Sequence, residues 1–164
     1  MSNHHWKGIA PDPDKNHGFI YLVRNTVTEQ LYVGKKAYWS ERSKIVPGKT
    51  RRKKFKTPNK WEFYTGSSRW LNEAFEEHGK ANFEFVMIIN CETKGWLTYV
   101  ECNLQHKLNV LTDKLSDNVT PRFYNKQIGA IKFIPPSDRS YMIGDNRWTN
   151  QVNNIQLKEE REYE

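Results

Sequence analysis

The alternation of apolar and polar positions divides the chain into a short series of elements. Residues 18–42, GFIYLVRNTVTEQLYVGKKAYWSER, open with Phe19, Ile20, Tyr21, Leu22 and Val23, an apolar, aromatic and β-branched run that predicts a strand. Residues 25–30 are polar and turn-like, and Leu31, Tyr32 and Val33 resume the strand pattern before Gly34. A turn of even length centred between Thr26 and Val27 sets Tyr21 opposite Tyr32, two phenols on one face of a hairpin; an odd length breaks that pairing. Residues 37–45 can form a short helix carrying Arg42, ended by Pro47-Gly48. Trp61, Phe63 and Tyr64 lead into a turn at 65–68 with a serine as N-cap. Beyond it, Trp70, Leu71, Ala74 and Phe75 share one face of a helix that Gly79 closes. Phe83, Phe85, Met87 and Ile89 alternate through a strand at 82–90 whose second half is apolar on both sides, which favours a place inside a sheet. Thr93 can cap a helix over 94–107. Its Leu97, Val100, Leu104 and Leu108 lie within about 80° of arc, with Glu101 about 20° beyond Leu108. An acid at the edge of a core stripe needs a partner, either a structural Lys or Arg or a bound cation, because burying a bare carboxylate is costly. Residues 112–122 are loop-like, residues 123–129 make a short ordered return, and Pro135-Pro136 closes the compact part.

Composition adds boundaries to this order. The 164 residues suffice for one domain with tails. The expectation is a flexible or loosely docked arm at 1–16, with His4 and His5 solvated, and a compact domain at 17–134. An extension at 135–164 follows, partly docked through residues such as Tyr141 and Trp148 and ending in the acidic KEEREYE. Mean hydropathy of −0.88 with 13% aromatic residues describes a soluble protein with a compact core and a polar periphery. No apolar run approaches the roughly 20 residues a membrane helix needs, and no signal-like segment opens the chain, so no membrane partner and a cytoplasmic location are expected. Cys91 and Cys102 are too few for a cysteine zinc site and fit small buried hydrophobes. The net charge of +7 is local. Arg42, Lys44, Lys49, Arg51, Arg52, Lys53, Lys54, Lys56 and Lys60 occur with no acid among them, so the rest of the chain is slightly negative. Residues 43–60 show no period and predict a long basic loop, anchored to the body by Phe55, that meets a polyanion.

The triplets Gly18-Ile20-Tyr21 (with Phe19 intervening) and Tyr32-Val33-Gly34, with Arg42 ten residues on, resemble the motifs of the GIY-YIG nuclease family. LNEAFEEHGKANFEF looks like that family's second helix, glycine turn and third strand; Glu101 falls at its metal-binding glutamate and Asn125, in FYNKQIG, at its late asparagine. GKK, the basic insert, and Trp61, Tyr64 and Gly66-Ser67-Ser68 look like a phage-type, homing-like branch. The resemblance implies an α+β fold, a small three-stranded antiparallel sheet flanked by helices, with a basic loop insert and a C-terminal extension. It implies a metal-dependent endonuclease, phage-encoded and acting in the cytoplasm of a bacterial host on double-stranded DNA. Tyr21 would be the general base, Tyr32 its neighbour that positions water or phosphate, Arg42 the phosphate clamp, Asn125 a further site residue, and Glu101 the ligand of Mg²⁺, with Mn²⁺ as a substitute. A phenol is a poor base unless positive charge favours its phenolate, for which Arg42, the metal and Lys35 are at hand. Lys35 and Lys36 join the loop cations as nucleic-acid contacts. Where family members carry a basic residue one turn after the arginine, this chain has Val46. Two rivals stand beside this reading: a nuclease fold that binds nucleic acid without cutting it, and an interaction protein whose loop meets an acidic protein. Monomer and homodimer both remain open.

Overall fold

A computed structural model describes residues 3–129; the expected extension at 135–164 lies outside the described residues. The elements in chain order are β1 (Lys7–Gly8), β2 (Gly18–Asn25), β3 (Leu31–Ala37), β4 (Trp39–Lys44), β5 (Lys53–Pro58), α1 (Arg69–His78), a 3₁₀ turn (Lys80–Asn82), β6 (Phe83–Cys91) and α2 (Lys94–Lys107). The main sheet has four strands in the order β1-β6-β2-β3, not three, and is mixed: β1 runs parallel to β6, while β2 is antiparallel to both its neighbours. The apolar β6 lies inside it as its pattern requires.

The fourth strand comes from the segment expected to be a loose arm. Trp6, 6% exposed, inserts among Phe19, Tyr21 and Phe85, and its indole N–H donates to the Trp61 carbonyl at 2.8 Å. His5 is not solvated but stacks on Phe85 at 4.2 Å. One buried aromatic thus supplies the burial that fixes two residues of strand, which no periodicity could announce.

Alternation along β2 sends Ile20 and Leu22 to one side, with Leu31, Val33, Val86, Leu97, Val100 and Leu104. It sends Phe19, Tyr21 and Val23 to the other, with Trp6, Tyr38, Leu71 and Ala74. So α2 covers one face and α1 the other. Both helices begin as expected, Ser68 accepting from Leu71 N and Thr93 from Trp96 N, and Gly79 closes α1 at φ +77°. Trp70 departs from the expected apolar face and is 48% exposed. Cys91 is buried and Cys102 half-buried.

The largest departure follows β3. Residues 39–44 are a strand rather than a helix, and they pair with residues 53–58 in a separate two-stranded sheet. The expected basic loop is therefore a ribbon, with a tip at 45–52. Phe55 does not anchor it; the ring is exposed and lies under the Lys44 ammonium at 5.6 Å.

Candidate active site at the edge of the sheet

β3 is the outer strand, so a site beside it can draw side chains from both faces of the sheet. Its register with β2 sets Tyr21 opposite Gly34 and Val23 opposite Tyr32, two residues away from the expected Tyr21–Tyr32 pair. An even shift preserves the face. The phenols become diagonal neighbours with ring centroids 6.1 Å apart, and Tyr21 lies across the position where Gly34 has no side chain. A Cβ at Gly34 would stand 2.6 Å from Tyr21 Oη and 2.7 Å from Tyr32 Cε1. Gly34→Ala is accordingly expected to destabilise the fold by about 1–3 kcal/mol through overpacking. Urea unfolding checks this; an unchanged midpoint would show that the ring pair yields freely.

The unpaired side of β3 is closed by residues 122–125. Leu31 N donates to the Arg122 carbonyl and Tyr124 N to the Leu31 carbonyl. Asn125 accepts from Val33 N at 3.0 Å and donates to the Val33 carbonyl at 2.8 Å, and Gln105 donates to the same carbonyl at 3.1 Å. The buried Asn125 amide thus takes the place of a neighbouring strand. It holds the segment between Tyr32 and Lys35 rather than offering its side chain to a ligand.

A cavity of about 480 Å³ opens here, with Tyr32, Lys35, Ser67, Ser68, Arg69, Trp70, Glu101, Gln105, Asn125 and Lys126 in its lining. Tyr32 reaches it from the α1 face, Lys35 and Glu101 from the α2 face. Lys35 Nζ pairs with Glu101 Oε2 at 2.9 Å and donates to Thr98 Oγ1 at 3.0 Å. Burial raises the Glu101 carboxyl above its usual range, and the Lys35 ammonium and backbone N–H oppose that shift. Tyr32 is pushed up to about 12, first by burial and then by the Glu101 charge. Tyr21 is 1% exposed and held well above the usual phenol value, chiefly by burial. The neighbouring hydroxyls act on each other in opposite senses: Tyr32 raises Tyr21 further, whereas Tyr21 pulls Tyr32 back down. Gly66, at φ +102°, comes close to the Tyr21 hydroxyl: a Cβ there would stand 3.4 Å from it.

Tyr21, Tyr32, Lys35, Glu101 and Asn125, remote in sequence, are therefore brought together. Arg42 is not with them: it is exposed on β4, opposite Phe55. Lys44, Lys53, Lys54 and Lys56 share its ribbon, Lys49, Arg51 and Arg52 lie in the tip, and Lys60 stands at the base. Lys36 packs on the body, 4.0 Å over the Tyr64 ring and bonded to Asn59. The pattern missed Arg69, Trp70 and Lys126. The signal that could have found Arg69 is its place directly after the N-cap, where a helix start and a guanidinium both favour an anion.

Three cations and one carboxylate give the cavity a net positive lining suited to phosphate. Among the described residues no three His, Cys, Asp or Glu side chains gather as a metal cluster. One carboxylate with neighbouring hydroxyl oxygens still fits a hard divalent ion that keeps several waters. None of the described helices is long and apolar enough to cross a membrane.

The family model described as "Putative endonuclease segE, GIY-YIG domain" matches residues 2–128. No curated protein and no solved structure gives a significant match. The match spans the main sheet, both helices and every side chain named at the β3 edge, and on it the chain belongs to the GIY-YIG family of nucleases, in its segE type.

Proposed function

We propose that the chain is a metal-dependent endonuclease that hydrolyses phosphodiester bonds in double-stranded DNA, encoded by a phage and acting in the bacterial cytoplasm. The observation that carries this reading is the cavity at the β3 edge, where a phenol, a carboxylate and three cations meet. Glu101 would hold Mg²⁺ or Mn²⁺, with Lys35 giving up its grip on the carboxylate. Such an ion supplies Lewis-acid polarisation of a phosphate oxygen and a more acidic bound water. Tyr32, the phenol in the cavity lining, takes a proton from the attacking water, and Tyr21, packed behind it with ring centroids 6.1 Å apart, holds Tyr32 in place. Arg69 and Lys126 offset the charge that grows on the phosphate. Asn125 is a positioning residue, fixing the β3 backbone between Tyr32 and Lys35. The basic ribbon contributes most of the grip on the DNA backbone.

Supercoiled plasmid incubated with the protein should be cut with Mg²⁺ and left intact with EDTA. Glu101→Ala should raise the Mg²⁺ concentration for half-maximal cutting by at least the roughly 10–100-fold that loss of a metal's outer-shell partner costs. Equal cutting under all these conditions would sink the metal site. One observation favours the rival, a fold that binds without cutting: Lys35 already occupies the Glu101 carboxylate. Tight, salt-sensitive binding with no cutting at any Mg²⁺ or Mn²⁺ concentration would establish it.

A further inference from the structure

We propose that the ribbon of β4 and β5 enters the major groove of B-form DNA and meets it with basic side chains on both faces, so that duplex DNA and not duplex RNA is the polyanion this chain holds. The inference rests on the nuclease reading only in taking the polyanion to be a nucleic acid.

The pairing of Arg42 with Phe55, Ser43 with Lys54 and Lys44 with Lys53 fixes what each face presents. Arg42, Lys44, Lys53 and Phe55 share one side. Lys54 and Lys56 share the other with Glu41, which stands opposite Lys56 and leaves that face still net positive. Residues 39–58 hold eight Lys or Arg and one Glu, a net +7 equal to that of the whole chain. Among the described residues none of these eight cations is ion-paired. Cations directly opposite one another, as Lys44 and Lys53 are, repel, and an isolated two-stranded ribbon is marginal even without such repulsion. The body therefore leaves uncompensated an electrostatic cost that a polyanion would remove. The base is fixed, however: Tyr38 is 1% exposed, Trp39 donates to the Pro13 carbonyl at 2.8 Å, and Asn59 N donates to the Tyr38 carbonyl. A firm root with two exposed cationic faces suits insertion between two phosphate rails more than lying flat against one.

Dimensions choose the groove. Six residues per strand extend about 20 Å. A two-stranded ribbon fits the major groove of B-DNA, about 12 Å wide, and not the minor groove of about 6 Å. The deep, narrow major groove of A-form RNA excludes it. The ribbon's Arg and Lys side chains would then reach guanine edges as well as phosphates.

The test is anisotropy binding of the wild-type full chain in EDTA to a DNA duplex and an RNA duplex of matching sequence. DNA should bind at least about tenfold tighter. Methyl green, a major-groove ligand, should displace the protein, and netropsin, a minor-groove ligand, should not. Replacing Lys44, Lys53, Lys54 and Lys56 with alanine should flatten the slope of log K against log salt by about 3 to 4 units and abolish the preference for DNA. Equal RNA binding, displacement by netropsin, or an unchanged slope overturns the proposal. Plasmid cutting by the wild-type chain with Mg²⁺ is scored apart from binding. Cutting that survives an overturned ribbon leaves the nuclease reading standing, whereas groove-selective binding without cutting removes the nuclease reading and keeps the ribbon.

Discussion

Replacing Arg69 with alanine is expected to slow plasmid cutting by roughly 10²–10³-fold, the scale on which enzymes lose rate when one preorganised group is removed from developing charge. Arg69 now donates to Glu73 at 2.8 Å, with its side chain 82% exposed. An exposed pair four residues apart on a helix is worth only about 0.3–0.5 kcal/mol, so a phosphate can take the guanidinium at little cost. Once there, two parallel N–H groups can bind two phosphate oxygens, which an ammonium cannot do; Arg69→Lys should therefore rescue only part of the loss. Arg42→Ala should behave differently. Its side chain belongs to the ribbon, so binding should weaken while the single-turnover rate at saturating protein holds. An equal fall in that rate for both variants would return the clamp to Arg42 and require the ribbon to fold over the cavity when DNA binds.

What could be read in the sequence followed from burial. β2, β3, β6, α1 and α2 each bury at least one face, so their periods and caps are visible in the residues. Glu101 stood out for the same reason, as an acid at the edge of an apolar stripe that needs a partner; that partner is Lys35, and the carboxylate also lines the cavity. The ribbon escaped because strand alternation is legible only when one face meets a core, and residues 42–56 meet none. The expected helix failed there because Tyr38 and Trp39 are drawn into the body, while the partner strand begins at Lys53, beyond the reach of local pattern. The register of the tyrosines escaped because a shift of two residues leaves every side chain on its own face. In the observed pairing the Tyr21 ring takes the space that Gly34 leaves, which a period of two cannot announce. Arg69 was visible as a residue and invisible as a site member, since its place in the same cavity lining as Glu101 depends on how α1 and α2 flank the same strand edge.

Tyr32→Phe is expected to lower cutting by roughly 10²–10⁴-fold, the range over which positioned proton transfer contributes. The pH profile separates proton transfer from packing. With Tyr32 pushed up to about 12, the phenol is protonated at pH 7 and its phenolate fraction grows tenfold with each pH unit. If that fraction limits the reaction, kcat/KM rises with a slope near one through neutral and mildly alkaline pH. The plateau arrives below 12 only as far as added cations favour phenolate. Tyr32→Phe removes both the rate and the slope. Tyr21→Phe deletes the neighbouring hydroxyl that lowers Tyr32, so its rising limb moves to higher pH with the slope retained. The reverse outcome, a flat profile in Tyr21→Phe and an intact one in Tyr32→Phe, would make Tyr21 the base. It would also mean that the covering around Gly66 opens when DNA binds, because the Tyr21 hydroxyl is otherwise buried beneath the ring that faces the substrate.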